Sequence, residues 1–491
     1  MPGVRLLVVA LLLLAACTSN PATGGNTFTM FMSPEQERQI GAREHPKLVA
    51  EMGGVYRDPA LQAYVAEIGR TLVSVSETPT APYTFTIIDS DEVNAFALPG
   101  GYVHVTRGLL ALANSEAELA GVLAHEIAHV VARHPAQRYS RTLTVGLGTA
   151  VLGAVAAAAG LPADIADLTA VGAQAYLQSY SREQELEADR LGGRYLRQAG
   201  YDPEAMATFL AQLNRYSRLQ AVLAGRPEAT ADSGTIMASH PRTAARVAQA
   251  SWLAEQAAAP NARQGREVYV ARIDGLIFGD SPEQGLRIGR DFYHQGLRFA
   301  FRIPPGFAMG NRPDPVVARG PGGALIVFDR ALVPNQRDPV RYVGRDWGAG
   351  LGLTHVERIE VNGMAGATAA ARVMTRSGLV DIRLVAIQAD PAHAYRLIFI
   401  TPPQLTRHLA AEMKQTLASF RRLSKAEAAA IRPLRIRVVA VRPGDTVRSL
   451  AATMPFADHP LEWFLVLNQI DPGQPLMPGQ QVKIVTRGDR R

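Results

Sequence analysis

The chain has 491 residues, and at about 150 residues per domain such a length divides among roughly three cores rather than one. With 47% hydrophobic and 19% charged residues, 43 Gly and 32 Pro, it fits neither a disordered polyelectrolyte nor a polytopic membrane protein. The net charge of +7 comes from 51 basic against 44 acidic residues, only four of them lysines (Lys47, Lys414, Lys425, Lys483), and no run of five like charges marks a nucleic-acid tail. Nucleic acid is therefore not an expected partner.

Residues 1–16 read as a signal peptide, with Arg5 as the only charge, an apolar run from Leu6 to Leu14, and then Ala15 and Ala16. That run is too short for a spanning helix of about 20 residues. The only cysteine, Cys17, follows directly, so no intramolecular disulfide can form. Leu14-Ala15-Ala16-Cys17 resembles the bacterial lipobox, in which cleavage precedes a cysteine whose thiol carries a diacylglycerol. The resemblance implies lipidation at Cys17 and anchoring in a membrane. Thr18, rather than Asp, at the next position implies the inner leaflet of the outer membrane. Residues 17–32 lack periodicity and read as a lipidated tether.

From Ser33 the chain becomes helical, opened by Ser33-Pro34-Glu35-Gln36. A second helix is predicted from Pro59 to Val75. Residues 83–89 alternate as a strand, and Pro99-Gly100-Gly101 turns between extended segments 94–98 and 102–106. A helix over 115–133 follows, with Ser115 and Glu118 as its capping box. Residues 143–161 carry no charge but are rich in Ala and Gly, and read as a buried or hinge-like helix, or one touching a membrane surface, in preference to a span. Further helices are predicted at 164–199, from Pro203 to Leu219, and from Pro241 to Ala257. Residues 258–265 look like a linker.

Within the helix at 115–133 stands His125-Glu126-Ile127-Ala128-His129, the pattern H-E-x-x-H. Spacing of i and i+4 puts both imidazoles on one helix face, where they can share one divalent ion. Glu126 can then act as general base on a water at the metal and return the proton to the leaving amine. The flanks, Leu119 to Ala124 and Val130 to Ala132, are apolar, so the helix is expected to be buried. A third ligand is needed. Residues 130–182 hold only Asp164 and Asp167 as acids, and the first dense acidic cluster is Glu183, Glu185, Glu187 and Asp189. On a helix Glu185 shares a face with Asp189, and Glu183 with Glu187. Periodicity does not choose between the pairs.

The segments VNAFALPGGYVHVTRGLL, LAHEIAHVVARH and SREQELEADRLG, in this order, resemble the gluzincin zinc metalloprotease family of the HtpX, BepA, Oma and CAAX-prenyl-endopeptidase type. The resemblance covers roughly 33–255 and implies a mostly α, zincin-like protease domain over 33–257 with a small β-sheet edge. It implies one Zn2+ per chain held by His125, His129 and Glu185, with Asp189 orienting a ligating histidine. Ser239-His240-Pro241 and Arg246 are similar to a downstream motif of the family, whose histidine approaches the zinc in a latched state and whose nearby cation stabilises the oxyanion. Asn94-Ala95-Phe96 is similar to the family's edge strand for substrate pairing. A structural role is expected for Arg133 and His134. Unfolded or misassembled envelope proteins are the implied substrates. A second reading is a latched or scaffolding envelope lipoprotein that binds peptidoglycan or assembly partners.

Beyond the linker, strands are predicted at 297–303, 324–328, 356–361, 367–374, 380–388 and 394–400, with a helix near 404–420. This is an α+β accessory domain over 266–425 without a catalytic cluster. Residues 433–485 contain Gly444-Asp445-Thr446, Leu467-Asn468 and Pro478-Gly479-Gln480, and resemble the βααβ LysM module, which implies glycan binding. The multidomain expectation is thus a protease domain, an α+β domain and a small C-terminal module.

Overall fold

The computed structural model describes residues 17–22, 24, 26–28, 32–142, 179–226, 240, 246, 248–252, 261–310, 315–333, 338–375 and 378–488. The expected signal peptide, the uncharged stretch 143–161, Ser239, Pro241 and most of the helix expected over 241–257 lie outside these residues. No helix among the described residues is long and apolar enough to cross a membrane.

The chain forms two compact units, one made of residues 1–279 together with 434–491, the other of residues 280–433. In the first, strands β1 (Cys17–Ser19) and β2 (Asn26–Phe28) pair antiparallel, so the expected tether contains a hairpin. Helix α1 (Pro34–Glu51) starts with a complete capping box between Ser33 and Gln36. Helix α2 (Pro59–Ser74) is capped by Asp58 and buries Leu61, Val65, Ile68 and Leu72 along one side. Strands β3 (Thr84–Ile88), β4 (Ala95–Leu98) and β5 (Tyr102–Thr106) form a sheet in the order β3-β5-β4, with β3 parallel and β4 antiparallel to β5. The turn between β4 and β5 needs its glycines, since Gly100 and Gly101 have φ of 79° and 90°.

Helix α3 (Arg107–Leu112) leads into helix α4 (Glu116–Val131). Ser115 caps α4 by accepting from the Glu118 amide. The other half of the expected capping box lies one residue earlier, where the Glu118 carboxylate accepts from the Asn114 amide at 2.7 Å. Nearly every residue of α4 is buried, because α2, β4 and helices α5 (Arg182–Gln198) and α6 (Glu204–Leu223) surround it. Gly192 makes the α4–α5 approach close: a Cβ there would lie 3.1 Å from the His125 amide nitrogen.

Residues 266–279, read from sequence as the start of the α+β domain, belong to this first unit as helix α7 (Arg266–Ile273) and strand β6 (Ile277–Phe278). So do the C-terminal residues. The strand Leu434–Ala440, the helices Val447–Ala451 and Pro460–Asn468, and the strand Gln481–Arg487 follow in strand-helix-helix-strand order, with the two strands antiparallel. Sequence sets 433–485 apart as a separate module, yet Ile436, Phe464, Leu467, Val482 and Val485 lie in one hydrophobic cluster with Leu72, Leu119 and Leu123. Polar contacts join the same parts. Lys483 is fully buried and its Nζ donates to the carbonyls of Ala111 and Ala113, both at 2.8 Å, at the end of α3. Gln469 donates to Glu118 at 2.6 Å, and Gln212 donates to the Val466 carbonyl. An amine head on terminal helix carbonyls supplies the donors they lack.

The second unit is built on a seven-stranded antiparallel sheet in the order Ala308–Gly310, Val316–Arg319, Leu325–Leu332, His393–Thr401, Gly378–Asp390, Met364–Thr375, Thr354–Val361. A smaller four-stranded sheet includes Phe299–Arg302. Phe299, Phe301, Phe328, Phe399 and Phe420 form its main core. The six strands read from sequence are present, whereas Leu286–Ile288, Asp291–His294, Ala308–Gly310 and Val316–Arg319 were not anticipated. The helix expected near 404–420 is confined to Ala410–Ser419.

Candidate metal centre

Helix α4 carries His125, Glu126 and His129 in a buried stretch, with Glu126 and His129 fully buried. Helix α5 crosses beside it and settles the choice that periodicity left open. Glu185 and Asp189 face inward at 1% and 0% exposure, while Glu183 is exposed and Glu187 half-buried. His240 completes the cluster: one ligand-type atom from each of His125, His129, Glu185 and His240 lies within 4.8 Å of all the others.

The individual contacts are short. The Nε2 atoms of His125 and His129 are 3.0 Å apart. The Glu185 carboxylate is 3.5 Å from each of them. His240 Nδ1 is 2.9 Å from Glu185 and 3.3 Å from His125 Nε2, and its Nε2 is 3.5 Å from Glu126. Both Glu126 carboxylate oxygens are buried without a hydrogen-bond partner among the described residues. His125 Nδ1 contacts Asp189 at 2.9 Å. Arg246 grips Asp189 with two nitrogens, each at 2.7 Å, and reaches Glu185 at 2.6 Å with the third.

These groups tune one another. Burial alone would lower the His125 pKa, but Asp189 and Glu185 outweigh it and push it up to about 9. Burial drives His129 well below its ordinary value, so that imidazole is neutral and ready to ligate. Burial opposes ionisation of Glu185, yet His240, His125 and His129 hold its carboxyl well below the usual range. Asp189 is likewise held low against burial by Arg246 and His125.

The donor set suits zinc, which takes imidazole nitrogen and carboxylate oxygen. With the Nδ1 of each histidine engaged elsewhere, the Nε2 atoms of His125 and His129, 3.0 Å apart, are the ones left to face a shared cation. The residues thus fit the metal expected from sequence.

The remaining expected site residues take distinct positions. Ala95 and Phe96 are buried in β4, at one edge of the sheet and against α4. The Asn94 amide donates to Thr106 Oγ1 at 3.0 Å, and its carbonyl accepts from the Thr106 amide at 3.0 Å. Arg133, at φ 60°, donates to Glu37 at 2.7 Å and to the Met32 carbonyl at 2.6 Å, fastening the end of α4 to the start of α1. Cys17 begins β1; its side chain lies outside the described residues. Sequence reasoning passed over Tyr180, whose ring stacks on His129 with centroids 4.0 Å apart and lies under the Arg138 guanidinium. His134, expected to have a structural role, places its Nδ1 2.9 Å from His129 Nδ1.

Residues 59–254 match the family model described as peptidase family M48. The beta-barrel assembly-enhancing protease of Escherichia coli (strain K12) is 34% identical over 252 residues, covering 50% of this chain and 49% of that protein. The protein of the same name in Yersinia pestis is 37% identical over 194 residues, covering 38% and 39%. The mitochondrial metalloendopeptidase OMA1 of Schizosaccharomyces pombe is 34% identical over 152 residues, covering 31% and 43%. The chain spans about half the length of the first of these curated relatives.

Proposed function

We propose, from the match of residues 59–254 to the peptidase family M48 model, that the chain is a zinc-dependent endopeptidase acting on proteins of the bacterial envelope. The observation that carries this reading is the convergence of His125, His129 and Glu185 beside a buried Glu126 that meets no donor among the described residues. Zinc held by those three ligands would supply Lewis acidity for a peptide carbonyl and for water. Glu126 takes the proton of the attacking water and returns it to the leaving nitrogen. Asp189 keeps the proton of His125 on Nδ1, leaving Nε2 free to ligate. His240 occupies the fourth corner of the cluster, which supports a latched state that opens when this imidazole swings away.

The edge position of β4 supports an extended substrate pairing along it. The names of the bacterial relatives, beta-barrel assembly-enhancing proteases, support clients among β-barrel proteins undergoing assembly. Lipidation at Cys17, outer-membrane placement and glycan binding by 433–485 rest on the sequence patterns at those positions, the last also on the strand-helix-helix-strand order.

Glu126→Gln tests the reaction. Caseinolytic activity should fall by about 10²–10⁴-fold or more, with zinc content unchanged from the parent chain. Undiminished proteolysis in that variant would sink the assignment.

A further inference from the structure

The two helix histidines are oriented by different means. His125 Nδ1 meets the Asp189 carboxylate directly. His129 Nδ1 meets another imidazole, Nδ1 of His134, at 2.9 Å. His134 is 1% exposed, and its Nε2 lies 3.4 Å from one oxygen of Glu187. The other oxygen of Glu187 accepts a hydrogen bond at 3.0 Å from the side-chain amide of Asn20. Asn20 is itself buried at 3% exposure, and its Oδ1 accepts from the Ala22 amide at 2.9 Å.

This chain of contacts has a direction. An ionised carboxylate only accepts, so it selects the His134 tautomer with its proton on Nε2, facing Glu187. His134 Nδ1 is then a lone pair and takes the proton of His129 Nδ1. That leaves His129 Nε2, the atom facing His125 and Glu185, unprotonated as a ligand must be. Without Glu187 to choose, His134 can present an N–H to His129 instead. The His129 proton then moves to Nε2 and blocks the ligand.

We propose that His134, Glu187 and Asn20 are positioning residues for the metal centre, and that the segment immediately after Cys17 is thereby hydrogen-bonded into the site rather than serving as a passive tether. Asn20 stands three residues beyond Cys17, and displacing residues 17–22 removes the donor that holds Glu187 in line. The inference rests on the zinc reading above.

Zinc affinity measured on the full chain by chelator competition tests it, using Glu187→Ala, Asn20→Ala and Asn20→Asp. Asn20→Asp keeps an oxygen for the Ala22 amide but turns a charged oxygen, in place of an N–H, toward Glu187. A role confined to the local turn makes Asn20→Asp resemble the parent and Asn20→Ala the weaker binder. A positioning role reverses that order. We expect Glu187→Ala and Asn20→Asp to bind zinc about 10-fold more weakly, Asn20→Ala to lose less, and far-UV circular dichroism to stay unchanged. Affinity within about two-fold of the parent in Glu187→Ala and Asn20→Asp overturns the proposal, as does the turn-only order. If Glu187→Ala fails to fold, the two Asn20 variants decide. The readout does not need catalysis, so a chain that binds zinc but cleaves nothing refutes the proposed reaction alone. A parent chain that binds no zinc refutes both.

Discussion

Arg246 shows how placement decides the role of a charged side chain. Resemblance assigns a cation here to the oxyanion, but all three guanidinium nitrogens are engaged by Asp189 and Glu185. A fork held this way orients His125 through Asp189 rather than meeting a substrate. Arg246→Lys keeps the charge and loses the bidentate geometry, so zinc affinity should drop about 10-fold in chelator competition. If Arg246 instead acts on the oxyanion, zinc affinity stays at the parent value and only kcat falls. The ligands themselves were readable because H-E-x-x-H fixes a helical spacing. The partners behind them were not. Asn20 and Glu187 are 167 positions apart, and no local pattern links residues that only the fold brings together.

At the scale of elements, α4 and the strands β3, β4 and β5 were legible from apolar runs, alternation and caps. Strands such as Leu286–Ile288 and Ala308–Gly310 were not, since three residues carry no period. The middle strand β5 also contains a pairing that sequence left unassigned: His104 is fully buried, its Nε2 is 2.8 Å from His45 Nδ1, and its ring stacks on Phe96. Burial first, and His45 second, lower its pKa to about 3 from an ordinary 6.5. The sign follows from proton counting. Below pH 6.5 the unfolded chain binds a proton at this position that the folded chain refuses until about pH 3. The stability contribution is therefore complete above pH 6.5 and lost progressively as pH falls toward 3, at up to about 1.4 kcal/mol per pH unit. Urea melts of the parent and of His104→Phe across this window should show a shallower acid dependence in the variant. Parallel pH profiles would mean that His104 is not held neutral.

For the whole molecule, the decisive feature is that the chain leaves the first unit at Gly279 and re-enters it at Leu434. The two crossing points are neighbours, because Phe278 pairs with Leu434 and Ile277 with Arg435 in one antiparallel ladder. A stretch of 154 residues between paired strand ends is an insertion that a short turn can replace. The C-terminal residues stand in the opposite position. Each large apolar side chain they bury, Phe464, Leu467, Val482 and Val485 among them, contributes about 1.5–3 kcal/mol, against a net domain stability on the order of 5–15 kcal/mol. Removing them also strips the donors from the end of α3 and from Glu118, on the first turn of α4. Lys483 hid this in the sequence, since a lysine in a strand reads as facing water. Two deletions should therefore behave oppositely. A chain in which 280–433 is replaced by an Asn-Gly turn should melt cooperatively and keep its zinc. A chain ending at Pro433 should lose both its cooperative melt and its zinc. Deleting the C-terminal segment then also confounds any peptidoglycan pull-down, which needs exposed point substitutions in 442–480 instead. If the chain ending at Pro433 melts cooperatively and holds zinc, residues 434–491 are a separable module after all.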